Sequence, residues 1–167
     1  YYARDYQSLK FRPAQGNCTD YSVGVAADHP LMRVEEMYFL KMEALAQTSV
    51  SEAATLLESF LNTYRYKDGS YVCKATDYES FIEEMMVQKR IEFWGEGILF
   101  YDYKRLDQGI TRGYPGTNFP AVARFNTEGR SPQWNLVITR GEYQSNTARN
   151  DGNNNPDSTE LLVPWTE

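Results

Sequence analysis

The sequence predicts a mainly α protein: tetratricopeptide-like helical hairpins over 30–108, then an irregular, loop-rich C-terminal region over 109–167. Three observations carry this. Apolar residues recur every three and four positions in successive stretches between Pro30 and Phe93, the spacing of one helix face. Ser49 with Glu52, and Thr76 with Glu79, have the spacing of capping boxes at the heads of two of these stretches. After Gln108 the periodicity stops, and Gly109, Gly113, Pro115, Gly116 and Pro120 supply turn signals. A length of 167 residues suits a single domain, 1–167, with a core of its own.

The elements follow in order. Residues 1–29 read as extended and irregular, with Pro13, Gly16, Gly24 and the run YSVGVAA. PLMRVEEMYFLKMEALAQ reads as the first helix, with Val34, Met37, Tyr38 and Leu45 on its apolar face and Pro30 in its first turn or just ahead of it. In the second helix Ala53, Leu56, Leu57, Phe60, Leu61 and Tyr64 form a wide stripe, ended by the turn YKDGS. A third starts near Thr76 and Asp77 and carries Tyr78, Phe81, Ile82, Met85 and Lys89 along one side. Helix is therefore predicted for most of 33–46, 51–65 and 77–93. Gly95 and Gly97 break the third helix, and ILFYDYKRL resumes as a short fourth. Beyond residue 108 little regular structure is expected; WNLVITRGEY reads as a brief extended piece and RNDGNNNPDSTE as a polar loop.

Composition narrows the function. A hydrophobic fraction of 41% and 13 tyrosines argue against disorder and suit surfaces needing a flat apolar face with a polar tip. A net charge of −6 and a pI near 4.9 argue against nucleic acid as a partner. No apolar run is long enough to span a membrane. No signal peptide is recognisable, and the opening YYARDYQSLKF without methionine reads as a mature form or a fragment. Cys18 and Cys73 form either one bridge or two thiols, and no CxxC motif marks a zinc or redox site.

Four chemical candidates compete. His29 is the only histidine and has no nucleophile pattern beside it, which disfavours a triad. Glu92 and Glu96, in KRIEFWGEGILFYDYKRL, share a helix face at i, i+4 and match the residue types of a glycoside hydrolase pair. Yet Lys89, Arg90, Lys104 and Arg105 crowd them, which lowers carboxyl pKa values where a general acid needs a raised one. Structural ion pairs are the favoured reading, with Glu36, Glu43, Arg90 and Glu96 mostly buried and paired. Asp151, Asn153, Asn155, Asp157 and Thr159 alternate as in a calcium loop, but Pro156 and Leu162 stand where glycine and glutamate are needed. No catalytic residue, metal or cofactor is expected. Tyr114, Trp134, Tyr143 and Trp165 lie off the stripes; they either stack on sugar rings or cover the core. Trp134, after Pro132 in a polar stretch, is the first choice as a ligand contact, with Tyr114 and Trp165 behind it.

Four blocks together resemble the SusD/RagB family of outer-membrane nutrient-binding lipoproteins. In PLMRVEEMYFLKMEALAQ, Arg33, Glu36, Tyr38, Leu40, Glu43 and Ala44 match its first signature. Arg90, Glu92, Glu96, Gly97, Asp102, Lys104 and Arg105 match the second, LNTYRYKDG the segment between, and ITRGEYQSN the closing element. Gln88, Leu99 and Thr139 depart from the family's usual glutamate, arginine and proline. The resemblance covers roughly 11–146 and is to the C-terminal portion of longer proteins. It implies tetratricopeptide-like hairpins with KRIEFWGEGILFYDYKRL as a tight corner. It implies a non-catalytic component of an uptake complex on the extracellular face of the outer membrane, lipid-anchored in full length through a cysteine not recognisable here. Such a protein binds oligosaccharide or polysaccharide, in some members peptide, and lies as a lid over a SusC-like TonB-dependent transporter. The alternative is a structural element that docks on the transporter without holding sugar; a hydrolase using Glu92 and Glu96 is a third reading.

Overall fold

A computed structural model describes residues 10–11, 30–131, 134–148, 154–155 and 163–166. Among these lie α1 (Val34–Ala46), α2 (Val50–Tyr64), α3 (Tyr78–Glu92), α4 (Ile98–Arg105), a 3-10 turn (Ala121–Ala123) and α5 (Arg140–Ser145). The described residues form no strand, only an isolated antiparallel bridge between Thr111 and Asn126. The protein is therefore mainly α, with its regular structure concentrated before residue 106. The chain divides into two compact units, Tyr1–Gly97 and Ile98–Glu167.

In the first unit α1 begins after the extended residue Arg33, with Glu35 and Glu36 in its first turn, where the helix dipole favours them. Pro30 lies on the approach, outside the helix. The buried face is Phe39, Met42 and Ala46, not the one expected: Val34, Met37 and Tyr38 are exposed. Apolar residues surround α1 on nearly every side, so periodicity alone did not select a face. The backbone N–H groups of Thr48 and Ser49 both donate to the Leu45 carbonyl, and this short turn sends α2 back along α1. Ser49 Oγ accepts from Glu52 N at 3.3 Å, so the serine arm of the expected box is made. Ala53, Leu57, Phe60 and Leu61 of α2 are buried, and the Phe60 ring meets Phe39 edge-on at 5.6 Å. Phe39 in turn meets Phe93 at 5.7 Å. Fully burying each such side chain stabilises by about 1.5–3 kcal/mol.

The cap of α3 is Asp77 rather than Thr76. Its carboxylate accepts from Ser80 N at 2.8 Å while Ser80 Oγ accepts from Asp77 N at 3.2 Å, a complete box one residue later than expected. Phe81, Ile82, Met85 and Met86 are buried, as are Lys89 and Glu92. Arg90 is exposed, against expectation, because at 100° per residue the face that turns Met85 and Lys89 inward turns residue 90 out. Glu36 and Glu43 are half-buried. The long connector between α2 and α3 is held by helix side chains. Asn62 both donates to Tyr71 O at 2.9 Å and accepts from Tyr71 N at 3.0 Å; Glu58 accepts from Cys73 N, and Glu84 from Lys74 N and the Tyr71 hydroxyl.

Every fully buried apolar side chain among the described residues belongs to this first unit. The second is ordered by hydrogen bonds instead. In it, α5 replaces the extended piece expected at the end of WNLVITRGEY. Six residues with an interior glycine are too few for a helical period to stand out.

Candidate functional site

The first candidate is the corner that ends α3. Phe93 N donates to Lys89 O and Glu96 N to Phe93 O, so the chain turns sharply. Gly95 and Gly97 take φ of +78° and +82°, the left-handed region where a side chain is strained. At Gly95 there is a second reason: a Cβ there would lie 2.5 Å from the Phe11 ring.

The turn gathers charge on one guanidinium. Arg33 Nε and Nη2 donate to the two oxygens of Glu96 at 3.1 and 2.9 Å, a forked pair. Arg33 Nη1 lies 2.8 Å from Glu92 Oε1, and Nη2 donates to the Glu92 carbonyl at 3.0 Å. The guanidinium sits 4.8 Å above the Phe93 ring. Arg65 pairs with the other oxygen of Glu92, and Lys10 with Glu96. The Glu92 and Glu96 side chains are only 4% and 2% exposed, so these are buried ions with matched partners.

Burial alone would push both carboxyls up, but hydrogen bonds from Arg65 and Arg33 on Glu92, and from Arg33 and Lys10 on Glu96, outweigh it. Both carboxyls are held below the usual range, and the bond to Glu96 raises Arg33. A general acid needs the opposite shift. The corner is chemically a clamp, with both carboxylates ionised and engaged.

The second candidate is the loop that opens the second unit beyond α4. Asn126 pins it: its Oδ1 accepts from Arg112 N and Gly113 N, each at 2.9 Å, and its Nδ2 donates to Gly113 O at 3.0 Å. The buried Thr117 donates from Oγ1 to Arg112 O at 2.9 Å. Tyr114, between these anchors, is 45% exposed. Trp165 is half-buried with its Cβ against Gly113, where any added Cβ would collide with it, and its backbone N–H donates to Arg124 O. Of the three aromatic candidates, Tyr114 therefore lies on the pinned loop and Trp165 packs against it. Arg112 lies there too, its guanidinium 5.3 and 5.0 Å from the ring centres of Phe119 and Phe125.

Trp134 is placed differently. It is half-buried over α4, its ring 6.0 Å from Phe100 and 6.4 Å from Tyr103, and its carbonyl accepts from Lys104 Nζ. Its position is that of a cover over the short helix. Farther on, a groove of about 580 Å³ runs past Ile138, Arg140 and Gln144. Its wall is tied by Asn154, which accepts from Ile138 N, and by Asn155, which donates to Leu136 O at 2.7 Å. Cys73 is half-buried, and burial pushes its thiol up, away from a reactive thiolate. Among the described residues no cluster of three or more His, Cys, Asp or Glu is arranged to hold a metal. Cys18, His29, Asp151, Asn153, Asp157, Thr159 and the Tyr143 side chain lie outside the described residues.

The family model described as the SusD family matches residues 4–162. The chain belongs to the SusD family. At the level of the family, membership supports a nutrient-binding component of the outer membrane. No curated protein and no solved structure matches the chain. No helix among the described residues is long and apolar enough to cross a membrane.

The clamp gives the SusD signatures a physical meaning in this chain. Arg33 comes from the first, Arg65 from the segment between, and Glu92 and Glu96 from the second, and all four meet at one point. Of the departures from the usual pattern, Gln88 is buried, Leu99 half-buried, and Thr139 caps α5 without a side-chain hydrogen bond. Sequence reasoning did not find Lys10 as a clamp member, nor the cluster of Arg112, Phe119, Phe125 and Asn126. The cluster had one visible signal, a cation and two aromatics inside a glycine-rich stretch.

Proposed function

We propose that this chain is a non-catalytic glycan-binding component of an outer-membrane nutrient-uptake complex. It works on the extracellular face, lipid-anchored in the full-length protein, and hands oligosaccharide or polysaccharide to a SusC-like TonB-dependent transporter. In this reading 1–167 acts as one domain, and its hairpins are of the tetratricopeptide-like kind. The observation that carries the proposal is the family match over 4–162. It is supported by the two glutamates, both ionised and paired with cations, so that neither is a proton donor.

Tyr114 now ranks first as the sugar-stacking residue, because it is exposed on a pinned loop; Trp165 follows through its contact with Gly113. Trp134 ranks third, since its ring already packs on Phe100 and Tyr103. Calorimetric titration with a panel of oligosaccharides tests the reading. Tyr114→Ala should weaken binding about thirty-fold, as for a hot-spot aromatic, without changing the melting temperature. Trp134→Ala should lower the melting temperature. A wild-type chain that binds no member of the panel would refute glycan binding.

The docking alternative has its own observation. Leu31, Met32 and Val34 are 95%, 73% and 66% exposed at the head of α1, and Met37 and Leu40 are also open. Such a patch suits an interface. Co-purification with the transporter, abolished by Met37→Asp, together with absence of sugar binding would favour it.

A further inference from the structure

We propose that Arg112 receives an anionic group on the glycan, a uronate carboxylate or a sulfate ester. The inference rests on the glycan-binding reading and narrows its substrate class to acidic sugars. Arg33, Arg65, Lys10 and Arg105 all pair with carboxylates, and Arg124 donates from Nε to Phe119 O. Arg112 is different. It is half-buried, yet among the described residues its guanidinium meets no carboxylate, and its contacts are the faces of Phe119 and Phe125.

An aromatic ring offers no carboxylate-strength acceptor, so among the described residues the five N–H donors of this fork meet no charged acceptor. A partly desolvated cation in that state gains most from an acceptor that is charged and planar or multidentate, namely a carboxylate or a sulfate.

The residue is also pre-set. Its N–H is held by Asn126 Oδ1 at 2.9 Å and its carbonyl by Thr117 Oγ1 at 2.9 Å, so the backbone from which the side chain springs is fixed on both sides. Little backbone freedom therefore remains to be lost there on binding. Tyr114, two residues on and exposed, offers an aromatic face for the sugar ring that carries the charge. The chain's net charge of −6 repels anions in general, so an acidic glycan must be recognised through a local cation.

The test is calorimetric titration of the full chain with three probes: oligogalacturonate, a sulfated galactan oligosaccharide and a neutral malto-oligosaccharide. One or both acidic probes should bind, and which of them does identifies the anionic group. Arg112→Gln should weaken that binding about ten- to hundred-fold, as for a hydrogen bond to a charged group. Arg112→Lys should not restore it, since an ammonium has neither plane nor fork. Salt supplies a readout on the wild-type chain that needs no variant: affinity for the acidic probe should fall between 50 and 500 mM sodium chloride. Binding of the neutral probe alone, acidic binding indifferent to salt, or acidic binding untouched in a folded Arg112→Gln would each overturn the proposal while leaving glycan binding in place. Binding of no sugar at all would overturn both.

Discussion

Replacing Arg33 by Met tests the clamp most directly. The substitution keeps a long apolar stem against Phe93 and removes the guanidinium. It deletes the forked bond to Glu96, the contact with Glu92 Oε1, the bond to the Glu92 carbonyl and the stacking on Phe93. Two nearly buried carboxylates then keep one cation each, Arg65 for Glu92 and Lys10 for Glu96. Removing one partner of a buried pair costs about 3–5 kcal/mol, and an exposed pair about 0–1. Arg33 is itself 23% exposed and the glutamates are not left alone, so the lower end applies, about 3 kcal/mol. For a chain of this size that is a fall of about 6–12 °C in melting temperature. Urea unfolding at neutral pH, followed by the helical signal, measures it. A double-mutant cycle of Arg33→Met with Glu96→Gln should give a coupling of about 1–3 kcal/mol. A loss below about 1 kcal/mol for Arg33→Met, with no coupling, would mean that the corner is held by apolar packing and the clamp reasoning is wrong.

The same carboxylates set an acid limit. Because their folded values lie below the ordinary 4.5, the unfolded chain takes up protons first, so their contribution is whole above about pH 4.5 and is lost as pH falls through the folded values. Melting temperatures taken from pH 7 to pH 3 should decline below that point, and less steeply in Glu92→Gln/Glu96→Gln; a rise would contradict the assignment. Gly97→Ala should cost about 1–2 kcal/mol for its left-handed backbone alone, since the space beside it is open. Gly95→Ala, strained and also in collision with Phe11, should cost clearly more, and equal losses in urea would count against that contact. Asn62→Ala should free the connector at Tyr71, cost about 1–3 kcal/mol and speed amide exchange at that residue; slow exchange as in the wild type would show that the clasp is dispensable.

What the sequence made legible followed from locality. The bounds of α2 and α3 were readable because each helix has one apolar stripe and a nearby cap. The buried face of α1 was not, because its apolar residues surround it and only the neighbours decide which go inward. Asp77 displaced Thr76 as cap because both residues have the right type and spacing, and one residue of phase decides between them. Glu96 was readable as a paired charge from the crowd of ions around it, but its real partners, Arg33 and Lys10, are far off in the chain and emerge only when α1 folds beside the end of α3. Lys89 and Arg90 show the same limit at closer range: adjacent cations of equal charge, one buried and one exposed. Arg112 was hidden for a further reason, since it needs Phe119 and Phe125 brought back to it by a loop whose register is set by one asparagine side chain.

These two kinds of order argue for a division of labour along the chain. In the first unit the polar residues that matter are engaged: each carboxylate oxygen of Glu92 and Glu96 meets a cation, and Asn62, Glu58 and Glu84 are committed to the backbone of their own connector. Such residues tolerate little change, because each substitution leaves a buried charge or backbone group unmatched. In the second unit, among the described residues, the backbone is held by the side chains of Asn126, Thr117 and Asp107, and no apolar side chain is fully buried. A loop pinned through its backbone leaves neighbouring side chains unconstrained by packing. Tyr114→Ala is therefore expected to leave the fold intact, and among the described residues no carboxylate meets the Arg112 guanidinium. The corner is fixed by matched charges, and the loop beyond α4 is fixed by hydrogen bonds to its backbone, the arrangement in which a rigid scaffold carries exposed loop side chains.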